Sequence, residues 1–111
     1  MDDSEFVMVF SSAGSQIEAS NIAEVLIEKK LAGCVSILPG VTSHYCWEHR
    51  KVVSFEVIII IKTLRSKFEE LRREIIDLHS YEVPEIAVVP VIDGSREYLD
   101  WLRARTTEAC K

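Results

Sequence analysis

The sequence predicts an α+β fold in which an antiparallel sheet carries helices on one face. Three observations predict it. Apolar runs rich in β-branched residues alternate with stretches whose apolar residues recur at helical spacing. The segments follow the order β-α-β-β-α-β, with a third helix after them. The first two strand–helix units also repeat at a constant offset. Ser15 and Glu18 match Ser66 and Glu69, and Val7 to Phe10 match Ile58 to Ile61.

Phe6 to Phe10 is a continuous apolar run and reads as a buried central strand. Ser15 and Glu18 then form a capping box, and Ala19, Ile22, Ala23 and Leu26 make the core stripe of a helix. Gly33 is expected to end that helix as a left-handed cap. Cys34 to Leu38 is a second strand, interrupted by Pro39-Gly40 as a turn or bulge and continued by Val41 to Trp47. A tight connection near Glu48-His49-Arg50 leads into a long third strand. Ser66 and Glu69 repeat the capping box, and Phe68, Leu71, Ile75 and Leu78 make the second stripe. Glu85 to Ile92 is expected to be a fourth strand, with an edge or bulge at Pro90, which has no N–H for a ladder. Asp93-Gly94-Ser95 turns into a third helix carrying Tyr98, Leu99, Trp101 and Leu102. This is the order of a ferredoxin-like double split βαβ with a C-terminal helix. A chain of 111 residues suits one such domain, 1–111, with one core.

The third strand, Val52 to Lys62, is the most informative segment. Side chains alternate across a strand, so Val53, Phe55, Val57, Ile59 and Ile61 share one wholly apolar face. Ser54, Glu56, Ile58, Ile60 and Lys62 share the other, apolar in the middle and charged at Glu56 and Lys62. Both faces need cover, and a chain this short has helices for one. We expect a second copy of the chain on the other face. The alternative is that the third helix or the long hairpin folds over it.

Composition narrows the function. Hydrophobic content of 48% with 28% charged residues is that of a soluble globular protein, and no apolar run approaches the roughly 20 residues of a membrane span. The start is acidic and its apolar run is too short for a signal-peptide core, so a cytoplasmic protein with no membrane partner is expected. A net charge of −5 argues against binding a phosphate backbone, so no nucleic-acid partner is expected. Cys34, Cys46 and Cys110 are an odd set without CxxC spacing, read as free thiols rather than a disulfide framework or structural zinc site.

Signals for catalysis are weak. There is no Gly-rich phosphate loop and no nucleophile elbow, and no enzyme is expected. His44 and Cys46 lie two apart on a strand with Glu48 following, either a row able to ligate copper or zinc or a packing row near a hairpin tip. His79 ends the second helix, where an imidazole can cap the last carbonyls. Glu56 and Lys62 sit roughly 20 Å apart along one strand face, so each needs its own partner. They belong either to the wet rim of a buried patch or to a polar pocket between subunits lined by Tyr45 and Trp47.

Leu31-Ala32-Gly33-Cys34-Val35, Leu38-Pro39-Gly40-Val41-Thr42-Ser43 and Tyr45-Cys46-Trp47-Glu48 resemble the signature of the CutA divalent-cation-tolerance family. Phe55-Glu56-Val57, Ile61-Lys62-Thr63, His79 to Ile86 and Tyr98-Leu99-Asp100-Trp101-Leu102 continue the resemblance over nearly the whole chain. The resemblance implies a ferredoxin-like subunit assembled as a trimer, its long hairpin joining a neighbour's sheet. It implies copper, or another divalent transition metal, as ligand. It places Trp47, Glu56, Lys62, His79, Tyr81 and Glu85 in a cleft at the subunit boundary. The sequence departs from the family where many members carry a first-strand cysteine, a proposed ligand, and this chain has Ser11 or its neighbour. It also has His79-Ser80-Tyr81 for the usual His-Pro-Tyr, and His49 for the usual hairpin glycine. Cys34 matches a position often cysteine and reads as a small buried core residue.

The expectation is therefore a homotrimer that binds a divalent metal ion in metal tolerance, with His79, His44, Cys46 and Cys34 as candidate ligands. The alternative is a small-effector sensor or scaffold using the same cleft without metal. An acyl-phosphate hydrolase ranks last, because the loop Ser11-Ser12-Ala13-Gly14 has no arginine.

Overall fold

A computed structural model describes residues 4–108; Cys110 lies outside them. Strands β1 (Phe6–Ala13), β2 (Cys34–Trp47), β3 (Arg50–Leu64) and β4 (Ala87–Pro90) form one antiparallel sheet in the order β2-β3-β1-β4. Helices α1 (Gln16–Glu28) and α2 (Phe68–Leu78) follow β1 and β3, and α3 (Arg96–Thr107) ends the fold. This is the expected ferredoxin-like arrangement.

The core forms where the two helical stripes meet one sheet face. Val7, Val9 and Ala13 of β1 and Val57, Ile59 and Ile61 of β3 are buried against Ala19, Ile22 and Leu26 of α1 and Leu71 and Ile75 of α2. The long apolar row of β3 is split, however. Val57, Ile59 and Ile61 lie under helices, while Val53 is 55% and Phe55 81% exposed. Val53 and Phe55 lie on the projecting hairpin of β2 and β3, where none of the described residues covers them.

On the opposite face, Leu102 of α3 clusters with Phe6 and Leu64. The third helix thus covers one end of that face, while Ile58 and Ile60 remain only partly covered. Gly33 permits this contact. A Cβ there would stand 2.5 Å from Leu102 Cδ1 and 3.1 Å from the Leu102 carbonyl oxygen.

Gly33 is therefore a close-approach residue and not the left-handed cap expected of it. That cap is Lys30, at φ 59°. Lys30 N–H donates to the Ile27 carbonyl and Leu31 N–H to the Leu26 carbonyl, a Schellman closure whose apolar pair, Leu26 and Leu31, is buried. The second capping box is also displaced. A 3₁₀ turn at Arg65–Lys67 precedes α2, Lys67 takes the N-cap position, and no side chain caps the helix. Ser66 is consumed inside that turn, whose i→i+3 bonding supplies the first acceptor instead. The fourth strand is shorter than Glu85 to Ile92. It pairs over Ala87–Pro90 at the sheet edge, and past Pro90 the Val91 N–H adds one bond to the Phe6 carbonyl oxygen.

One irregularity in β2 matters for everything that follows. Leu38 pairs with Ile58, but Val41 pairs with Glu56, so β2 gains one residue on β3 at Pro39-Gly40. Gly40 has φ +78°, the left-handed conformation this bulge requires and glycine adopts without penalty.

Candidate functional site

The bulge decides which side chains face Glu56. Before it, Cys34 and Ser36 stand opposite Lys62 and Ile60, so even-numbered residues of β2 share the face of even-numbered residues of β3. After it, Ser43 stands opposite Ser54 and Tyr45 opposite Val52, so odd-numbered residues take that face. Ser43, Tyr45 and Trp47 thereby join Ser54 and Glu56 on the same side. His44 and Cys46 turn to the other, opposite Val53 and Lys51.

The result is a concavity of about 780 Å³ at the root of the hairpin, lined by Tyr45, Trp47, Glu56, Tyr81, Glu82 and Glu85 with Ser12, Ser43, Ser54 and an edge of His44. Its far wall is the loop after α2. Tyr81 Oη donates to Glu56 Oε2 at 2.8 Å, and Tyr45 Oη and Ser54 Oγ are 2.7 Å apart. Burial, then the Glu56 carboxylate beside it, hold the Tyr81 phenol above the usual range, so it serves as a donor across the neutral pH range.

His79 locks that wall from behind. Its Nδ1 accepts from the Tyr81 N–H at 3.0 Å, which leaves the proton on Nε2 to donate to the Ser12 carbonyl oxygen. The side chain is fully buried, and its ring stands 4.7 Å from that of Tyr81. Both ring nitrogens are therefore engaged in tethering the loop to β1. Glu18 adds a second tether. Its carboxylate accepts from Ser80 N–H at 2.8 Å and from Gly14 N–H at 3.4 Å, while Ser15 caps α1 through Glu18 N–H. Burial alone would raise the Glu18 pKa. The bonds from Ser80, then that from the Gly14 N–H, outweigh that and hold it below the ordinary carboxylate value.

Of the expected cleft residues, Trp47, Glu56, Tyr81 and Glu85 line the concavity and His79 stands behind it. Lys62 does not join them within one chain. It lies six positions along β3, where its ammonium donates to Ser36 Oγ and reaches Cys34 Sγ at 3.8 Å. The candidate metal ligands are likewise dispersed. Cys34 is beside Lys62, Cys46 is on the opposite face from Glu56, and His79 has no free nitrogen. Among the described residues no three His, Cys, Asp or Glu side chains converge as a metal-binding group. Glu56, Glu82 and Glu85 are the acidic residues that line the concavity, and they make an oxygen-only, incomplete set within one chain. Ser11 cannot substitute for a ligand there. It is fully buried on the core face, and its hydroxyl has no partner among the described residues.

Two contributors escape a reading of the sequence alone. Glu18 looks like a member of a capping box for its own helix, and nothing local shows that it reaches Ser80. Glu82 is flagged only by its place in an acidic loop, between the tethered Tyr81 and Pro84.

Comparison with known proteins bears on the family and the fold. The family model described as CutA1 divalent ion tolerance protein matches residues 7–105. The chain is 42% identical over 99 residues to the divalent-cation tolerance protein CutA of Thermus thermophilus, covering 89% of this chain and 96% of that protein. It is 38% identical over 101 residues to the CutA of Yersinia pestis (strain Pestoides F), covering 91% and 85%. The crystal structure of CutA1 from Oryza sativa superposes with a TM-score of 0.91 at 33% identity, covering 96% of this chain and 97% of that one. With sequence and fold matched over nearly its whole length, the chain belongs to the CutA1 divalent ion tolerance family.

Proposed function

We propose that the chain works in metal-ion homeostasis as a cytoplasmic homotrimer that binds a divalent metal ion, copper foremost, in the cleft at the root of its hairpin. The observation that carries this reading is the concavity itself, lined by Glu56, Glu82 and Glu85 beside Trp47. Carboxylate donors hold divalent ions, and at a given site affinity rises to a maximum at copper(II). One chain supplies only part of a coordination shell, so the remaining donors come from a neighbouring copy. The exposed apolar side chains Val53, Phe55, Val88, Val89 and Ile92 support that assembly. So do the edge strands β2 and β4, each with one side unpaired within the chain. The free thiols of Cys34 and Cys46 support a reducing compartment.

The test is a titration of the purified, metal-stripped assembly with copper(II), zinc and magnesium by calorimetry. Copper is expected to bind most tightly and magnesium weakest, and Glu56→Gln together with Glu85→Gln is expected to weaken copper about tenfold or more. Unchanged copper affinity in that double variant, with mass and circular dichroism retained, places the metal elsewhere. A wild-type chain that binds no copper ends the metal reading.

A further inference from the structure

We propose that His79 and Glu18 form a proton-operated latch, in which one proton taken up by the His79 ring releases both main-chain tethers of the Ser80-Tyr81 wall. The latch goes beyond the metal reading above and is tested without any ligand.

Three observations lead there. First, each tether is a main-chain N–H held by an ionisable side chain. Tyr81 N–H donates to His79 Nδ1 at 3.0 Å, and Ser80 N–H donates to Glu18 Oε2 at 2.8 Å. Second, the two acceptors are neighbours. Glu18 Oε2 stands 3.9 Å from His79 Nδ1, the ring nitrogen that carries no hydrogen while the Tyr81 N–H points at it. Third, the far end of the ring is anchored independently of the loop. Its Nε2–H donates to the Ser12 carbonyl oxygen of β1, and the side chain is fully buried within its own chain. Every one of these contacts lies inside one chain, so none depends on which surfaces a neighbouring copy covers.

A proton acts on this arrangement in one direction. A hydrogen on Nδ1 faces the Tyr81 N–H, and two donors cannot bond each other, so that tether is lost. The ring stays on β1, because Nε2–H donates to Ser12 in the neutral and the charged form alike. Glu18 Oε2 is the carboxylate oxygen beside the new hydrogen, and the charged pair draws it from the Ser80 N–H. Tyr81 then leaves Glu56, to whose Oε2 its phenol donates at 2.8 Å.

The other groups around the ring hold their charge meanwhile. From α1 it faces Glu18, which is held below its ordinary value of 4.5 and stays ionised above about pH 5. From its own loop it faces Tyr81, whose phenol is raised and stays protonated. Strand β1 presents the Ser12 carbonyl oxygen, and α2 the Ile75 carbonyl oxygen, which accepts the His79 main-chain N–H at 2.9 Å.

NMR of the intact, ¹⁵N-labelled assembly tests the latch between about pH 8 and pH 5, the range in which histidine commonly changes charge. At the upper end the His79 nitrogens are expected to report the Nε2–H tautomer. On acidification they are expected to change to the charged pattern. Amide exchange at Ser80 and Tyr81, corrected for its intrinsic pH dependence, is expected to rise about tenfold or more with the same midpoint. Glu18→Gln keeps an acceptor for Ser80 but removes the charge, and is expected to move that midpoint to lower pH. His79→Gln is expected to abolish the step. If that variant does not fold, the wild type and Glu18→Gln still decide. A His79 ring that stays neutral throughout overturns the proposal. So does a charged ring with Ser80 and Tyr81 still protected, or a step that follows His44 or His49 instead.

Discussion

At the residue scale, side chains that look local act at a distance. Glu18 sits where a capping box places it, yet its carboxylate ties α1 to Ser80 and so fixes the wall carrying Tyr81. Glu18→Gln keeps one acceptor but puts an amide N–H₂ against a backbone N–H, and is expected to lower stability at pH 7 by about 1–3 kcal/mol. The Glu18 pKa is depressed in the folded chain, so its stabilisation is fully present above the ordinary value of 4.5 and lost as pH falls through the depressed one. Urea unfolding of both proteins is therefore expected to show the gap shrinking below about pH 4.5. A gap independent of pH would assign the effect to packing. The hairpin turn gives a second case. Glu48 and His49 have φ of 50° and 65°, a two-residue turn of the type that favours Asn-Gly. His49→Gly is expected to raise stability by about 1 kcal/mol, seen as a higher urea midpoint at unchanged slope.

At the element scale, the bulge in β2 is the decisive feature. Without the extra residue at Pro39-Gly40, Val41 to Trp47 would pair one position out of step, and Tyr45 and Trp47 would leave the face of Glu56. Deleting Pro39 is expected to preserve the sheet, because the pairing of Cys34 to Leu38 with β3 lies before it. The deletion is expected to abolish ligand binding in the concavity. Far-UV circular dichroism of the wild-type kind with no copper binding by calorimetry is the expected pair of results. Retained affinity would mean that the aromatic wall has no part in the site.

At the scale of the whole molecule, the chain leaves apolar surface that its own elements do not reach. Helix α3 covers one end of the second sheet face, around Phe6 and Leu64, and stops short of Ile58 and Ile60. The hairpin projects with Val53 and Phe55 open to solvent. Light scattering of the wild type is expected to give three times the 12.6 kDa chain mass. Ile60→Lys is expected to release monomer, since an unpaired buried charge costs about 3–5 kcal/mol. A wild-type chain that stays monomeric at micromolar concentration ends the assembly reading, and an Ile60→Lys chain that still forms trimers moves the contact to the hairpin.

The sequence by itself determined the elements and their order. Strand runs, helical stripes, the Ser15 cap and the repeat of the two units are local signals, readable because alternation and 3.6-residue spacing report which side of each element is buried. Family resemblance implied one cleft for Trp47, Glu56, Lys62, His79, Tyr81 and Glu85, of which Trp47, Glu56, Tyr81 and Glu85 line the concavity of one chain. Only the tertiary structure decided the rest. It moved the left-handed cap from Gly33 to Lys30, because Gly33 is claimed by the approach of Leu102. It sent Lys62 and Cys34 to the far end of their strands, engaged both nitrogens of His79 in holding Ser12 and Tyr81, and aimed Glu18 at Ser80. The physical reason is common to these cases. Each depends on a partner many residues away, and the face that Tyr45 and Trp47 take depends on a register that one inserted residue shifts, fixed only once the strands have paired.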